Sequence, residues 1–254
     1  MQIITLLLFV AVFLPSPFLS IQAGEPLGPI KRSLKLGVLV HNSEYQIYRS
    51  KNLGKSGLKK LKKTLRKYNY RFPKTIIYIN KGGYRFPFYF ALHEYEKQTE
   101  YGFQFYHSFS TPSLYLDGYN PYQAEAIHPL KWLNSKAEKL FPQKNKTIYG
   151  DVNSFLRILD LTLDPTNQPV LVHCHGGRHR TGMVAMVLRH IQGGKWLQLS
   201  KKEKKGLRLN MAEYEYYKFN RMMFRRTNIE FIREFRQSPI FEEYVTKYRH
   251  KLAD

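Results

Sequence analysis

The sequence predicts an α/β fold, a central and mostly parallel sheet flanked by helices. Three observations carry that expectation. Short apolar, β-branched runs at residues 36–40, 75–79 and 169–172 have the length of buried strands rather than of helices. Apolar residues then recur at helical spacing in the stretches that follow the first and last of these runs. Residues 24–254 are enough for one large domain and do not require two.

The elements follow in chain order. Residues 1–23 carry no charged side chain, and the apolar run within them is shorter than the roughly 20 residues of a membrane span. Pro15 and Pro17 break that run, which suggests a cleaved signal peptide and hence a secreted or periplasmic, cell-envelope protein. An uncleaved anchor or an initial core strand are the alternatives. Leu53, Leu58, Leu61 and Leu65 alternate with a basic run from Lys51 to Lys67, giving an amphipathic helix with a solvated cationic face. Residues 84–89 alternate with aromatics, and 103–106 read as a strand. Residues 107–147, rich in Tyr, Pro and Asn, are expected to form an inserted loop or small helical segment. A helix over 152–161 is expected to start at Asp151 as its N-cap. Beyond the last strand, Met183, Val184, Met186, Val187, Leu188 and Ile191 predict a helix stopped by Gly193 and Gly194. Residues 195–209 are polar and basic, whereas 211–235 have helix-forming composition.

The strand–loop–helix unit holds the single cysteine, Cys174, within His173-Cys174-His175-Gly176-Gly177-Arg178-His179-Arg180-Thr181-Gly182. A helix N-terminus offers unpaired N–H groups and a favourable dipole to an anion. There a thiol can drop from about 8.5 to roughly 3.5–7.5 and attack as thiolate. Arg180 can present a planar fork to two phosphate oxygens. Gly176 and Gly177 are expected to let the loop curl with its amides inward. Thr181 can donate to the sulfur, and His173 can orient the loop through its ring nitrogens. Alternation along the strand should send His173 and His175 away from Cys174. The spacing of these residues fits no usual zinc pattern.

At these residues the chain resembles the cysteine-dependent tyrosine and dual-specificity phosphatases. It is most similar to the atypical branch of plants, fungi and bacteria, some of whose members act on inositol pyrophosphates. Residues 163–174 and 177–182 carry the resemblance, with weaker echoes at residues 47–50 for an opening strand and 213–232 for closing helices. The resemblance implies a dual-specificity phosphatase-like sheet, Cys174 as nucleophile, Arg180 as phosphate ligand and a phosphocysteine intermediate. It implies no cofactor and no metal. The family's general acid usually lies some thirty residues before the cysteine, where residues 140–146 hold no carboxylate. Asp151 is the nearer candidate and Asp117 the alternative. His175, Gly176, Gly177, Arg178, His179 and Thr181 are the expected substrate-binding residues.

A net charge of +22 favours polyanionic partners. The expected substrate is an inositol polyphosphate or a phosphotyrosine protein, with an anionic membrane surface as a further partner. No nucleic-acid-binding motif appears. The rival reading is an inactive polyanion-binding module that keeps the loop as a grip. One cysteine excludes an intramolecular disulfide, and a lone thiol in an oxidising compartment needs a recessed position.

Overall fold

The computed structural model describes residues 30–79, 92–106, 146–201, 206, 208–214, 229, 232, 233 and 235–253, without the side chains of Arg32 and residues 146–154. The expected signal segment, the aromatic run 84–89, Asp117 and nearly all of 107–147 lie outside the described residues.

The strands are β1 (Gly37–His41), β2 (Gln46–Lys51), β3 (Thr75–Tyr78), β4 (Gln104–Tyr106) and β5 (Val170–Cys174). The helices are α1 (Gly54–Lys67), α2 (Leu92–Tyr101), α3 (Lys146–Leu163), α4 (His179–Gln192) and α5 (Pro239–Leu252). The five strands form one sheet in the order β1-β2-β5-β3-β4. Only the β1–β2 pair is antiparallel, so the mostly parallel sheet is as expected. Parallel neighbours on both sides of β5 bury it completely and put Cys174 at the carboxyl end of the central strand. In open α/β sheets that edge is where ligands bind.

Alternation along the strands divides the interior into two cores. Val170, Val172 and Cys174 join Ile77 and Ile79 on the face that packs against α3, α4 and α5. Leu171, Ile76, Tyr48 and Tyr78 point the other way, toward Leu58, Leu61 and Leu65 of α1. Each of those leucines contributes about 1.5–3 kcal/mol by leaving water. The opposite face of α1 is exposed and basic, as its periodicity predicted. Strand β1 departs from simple alternation. Its register shifts between Val38 and Val40, so Leu39 and Val40 both enter the first core.

Several expectations need correction. Helix α3 begins at Lys146, so Asp151 lies inside the helix and is not its N-cap. Lys51 does not belong to α1 but ends β2. Helix α2 was not foreseen because its sequence is polar almost throughout and it buries only Glu94. Helix α5 was also missed, although Ser238 accepts from the Phe241 amide and Pro239 opens the helix. That is a readable start signal. The described parts of the stretch 211–235 are helical, and Gly193 (φ 69°) ends α4 as expected.

Candidate active site

The loop between β5 and α4 is held from both sides. Ile79 N donates to His173 O at 2.8 Å, and Asn52 N donates to His175 O at 3.1 Å. Gly177 has φ 57°, and a Cβ there would stand 2.5 Å from Ser50 O and 2.7 Å from Lys51 N. Both neighbours are backbone, so only glycine fits. Gly176 has no such requirement: a Cβ would meet nothing nearer than Arg178 Cγ at 3.9 Å. The expectation that both glycines permit the curl therefore holds for Gly177 alone. Arg49, buried on β2, donates to Gly177 O at 2.6 Å and fixes the outer side of the loop.

Cys174 is 2% exposed, at the base of the loop. Burial pushes its thiol up, but the Arg180 guanidinium, the Thr181 hydroxyl and the Thr181 and Arg178 amides outweigh it. The net direction is below the usual thiol value. Thr181 Oγ1 is buried and makes no hydrogen bond of good geometry, which leaves its proton able to turn to the sulfur. Arg180 Nη1 donates to Ile79 O at 2.9 Å, which anchors one end of the guanidinium and aims the rest of its fork.

His173 is fully buried, and neither ring nitrogen makes a hydrogen bond of good geometry. Its ring packs on Tyr78 at 5.2 Å, and burial lowers its pKa. The orienting role expected of its nitrogens is not seen. Its position opposite Cys174 is as alternation predicted. His175 departs from that expectation, because it lies past the strand end and lines the same cavity as Cys174.

That cavity has a volume of about 560 Å³. One wall is the loop, with His175, Gly176, Arg178, His179 and Arg180. Lys35, Lys51 and Asn52, none of which the motif pointed to, line the cavity as well. Lys35 Nζ donates to Gly176 O at 2.9 Å. Burial, then Arg178, Arg49 and Lys51, lower Lys35 to about 8, against an opposing pull from Cys174. No carboxylate lines the cavity among the described residues. Of the expected site residues, Cys174, His175, Gly176, Arg178, His179 and Arg180 line it, while Gly177 and Thr181 support it from behind.

A parallel-stranded α/β sheet with a thiol pulled toward ionisation, amides and an arginine converging on it, defines a cysteine-dependent anion-binding protein. The tyrosine phosphatase family matches residues 103–253, and the chain belongs to that family. Inositol diphosphatase SIW14 of Saccharomyces cerevisiae is 34% identical over 73 residues, 28% of this chain and 26% of that protein. Inositol diphosphatase DSP2 of Oryza sativa subsp. japonica is 55% identical over 38 residues, 15% of this chain and 18% of that protein. The matched stretches therefore span about a quarter of one relative and less than a fifth of the other. The solved Siw14 catalytic core is 18% identical with a TM-score of 0.51, covering 88% of this chain and 95% of that one, and shares its fold.

Proposed function

We propose that the protein is a cysteine-dependent phosphatase whose substrate is an inositol polyphosphate bearing a diphosphate group. The observation that carries this is the Cys174 sulfur, held below its usual pKa at the floor of a cationic cavity with Arg180 and two amides directed at it. In the first step the thiolate attacks the terminal phosphorus. An S–P bond forms and the P–O bond to the leaving group breaks, while Arg180 and the amides hold the equatorial oxygens. Water then attacks the phosphocysteine, which releases phosphate and returns the sulfur as thiolate. Thr181 eases that departure by donating to the sulfur.

The names of the two relatives support the diphosphate over a phosphotyrosine ester, and so does chemistry. A phosphate leaving group has a pKa of about 6, far below that of a tyrosine phenol at about 10. It therefore needs less protonation as it leaves, which suits a site whose cavity offers no carboxylate among the described residues. Asp151, whose backbone lies within α3, remains the candidate acid. Asp117 is the alternative. The exposed cations of α1 are proposed to draw the protein to anionic membranes.

Phosphate release by purified protein tests the reading, in metal-free buffer, on an inositol pyrophosphate, a phosphotyrosine peptide and an aryl phosphate. Turnover should be fastest on the pyrophosphate. An aryl phosphate left untouched at every pH from 4 to 8, about the range over which such thiols ionise, would leave only the polyanion-binding module.

A further inference from the structure

We propose that Lys35 and Lys51, which line the cavity beside the cysteine loop, form a second anion subsite that grips a substrate phosphate other than the one transferred. This rests on the phosphatase reading and names what the two lysines of the cavity are for.

Lys35 reaches the cavity on a built turn. Leu34 N and Leu36 N both donate to Lys31 O, at 3.1 and 3.2 Å, and Leu34 and Leu36 are 3% and 0% exposed. Between these two anchors Lys35 takes φ 48°, in the left-handed region that long side chains avoid. Such a position is strained and persists where the surroundings over-determine it. A turn needing only to reverse direction would take Gly or Asn. A lysine there delivers an ammonium to the cavity instead.

Among the described residues the ammonium has one anchor, Gly176 O at 2.9 Å. Three donors leave two for a ligand. Its cationic neighbours aggravate its charge: Arg178 from the loop and Arg49 and Lys51 from β2 disfavour the protonated form, whereas Cys174 favours it. His175 lines the same space. The oxygens of one phosphate are accounted for by Arg180 and the loop amides. Lys35 and Lys51 line space that one phosphate does not fill, because a cavity of about 560 Å³ falls in the range that accepts whole ligands of roughly 300–1,000 Å³. A second phosphate on the same molecule supplies the missing anion.

The test compares Lys35→Met and Lys35→Arg with wild type on an inositol pyrophosphate and an aryl phosphate, alongside binding of inositol hexakisphosphate in the Cys174→Ser background. In Lys35→Met the ratio of kcat/KM for the pyrophosphate over the aryl phosphate should fall about tenfold or more, chiefly through KM, and hexakisphosphate binding should weaken comparably. Lys35→Arg should restore both. In wild type the preference should decline as pH rises through about 8, because the ammonium is charged below that value and neutral above it. Lys35→Arg should hold the preference to higher pH. Equal losses on both substrates would mean that Lys35 only braces Gly176, and would overturn the subsite, as would no loss at all. Wild type inert toward the aryl phosphate would sink the phosphatase reading instead, and the binding arm would still decide the subsite.

Discussion

Helices α1 and α4 are each 14 residues long, and each begins just beyond the end of a parallel strand, yet their N-termini meet opposite fates. The end of α1 is filled from within: Leu53 N and Gly54 N donate to Glu94 Oε1 at 2.8 and 3.3 Å, and Glu94 is 0% exposed. The end of α4 carries no side-chain cap, and its Arg178 and Thr181 amides serve the Cys174 sulfur. Their bodies differ in the same sense. Helix α1 buries only Gly57, Leu58, Leu61 and Leu65, whereas α4 is buried at every position except Arg180. Any helix start attracts an anion. What separates a scaffold from a site is whether the chain supplies its own carboxylate there. A rigidly packed helix then holds the vacant start in place for chemistry.

The largest effect that sharpens this contrast should come from Cys174→Ser. Turnover of the aryl phosphate should drop by about 10⁴-fold or more, as for other removed nucleophiles, while inositol hexakisphosphate still binds in a calorimeter. Survival of turnover would make α4 a passive cradle, no different in kind from α1. Next in size is Arg180→Lys, with an expected loss of about 10³-fold in kcat/KM. A lysine keeps the charge but loses both the fork and the anchor on Ile79 O. Full activity in this variant would mean that bulk charge, which α1 also has, is sufficient.

Thr181→Val should lower kcat where phosphocysteine breakdown limits turnover, but in kcat/KM, which reports the attack step, it should act through pH. The thiol of the folded protein lies below its ordinary value, so activity is present above that folded pKa and lost as pH falls through it. Removing the hydroxyl removes one of the lowering causes. The acid limb of kcat/KM on the aryl phosphate should therefore move to higher pH, and the plateau should stay nearly where it was. An unmoved limb would assign the ionisation to Arg180 and the amides alone.

What was legible in the sequence followed from how local each feature is. Cys174, Gly177, Arg180 and Thr181 lie within eight consecutive positions, so their spacing alone brings them together once a strand feeds a helix. The β-branched runs gave β3 and β5 because fully buried parallel strands have little alternation to misread. They gave β1, an antiparallel edge strand, because its register shift buries residues on both faces. The two cavity lysines were not legible. Lys35 and Lys51 sit 139 and 123 positions before Cys174 (174 − 35 and 174 − 51) and meet it only because β2 pairs with β5. Lys51 looked like one more surface lysine of α1, because charge runs carry no register. Gly176 was over-read, since adjacent glycines cannot be told apart by sequence when only one has a neighbour's backbone at 2.5 Å. Glu94 was invisible, because it caps a helix 40 residues earlier in the chain.

The smallest effect tests the other half of the comparison. In Glu94→Gln the amide oxygen can still accept from Leu53 and Gly54, but without charge, and charge-assisted bonds are roughly twice as strong. With the lost attraction to the helix dipole, the cost should be about 1 kcal/mol. The melting temperature would then fall by roughly 2–4 °C for a domain of this size. Glu94→Ala should cost more, because two buried amides lose their acceptor. Turnover of the aryl phosphate by the Gln variant should stay within about twofold of wild type, an error-sized change in barrier. The reason lies in β2. Leu53 follows Asn52, whose N–H holds His175 O at 3.1 Å, so a displaced helix start has a direct route to the loop. Ser50 and Lys51 stand in ladder register with His173 and Cys174, however, and Arg49 grips Gly177 O at 2.6 Å. Those bonds fix the loop to the strand upstream of the helix. A large loss of turnover in Glu94→Gln would mean that they do not insulate it, and that the two helix starts act as one unit.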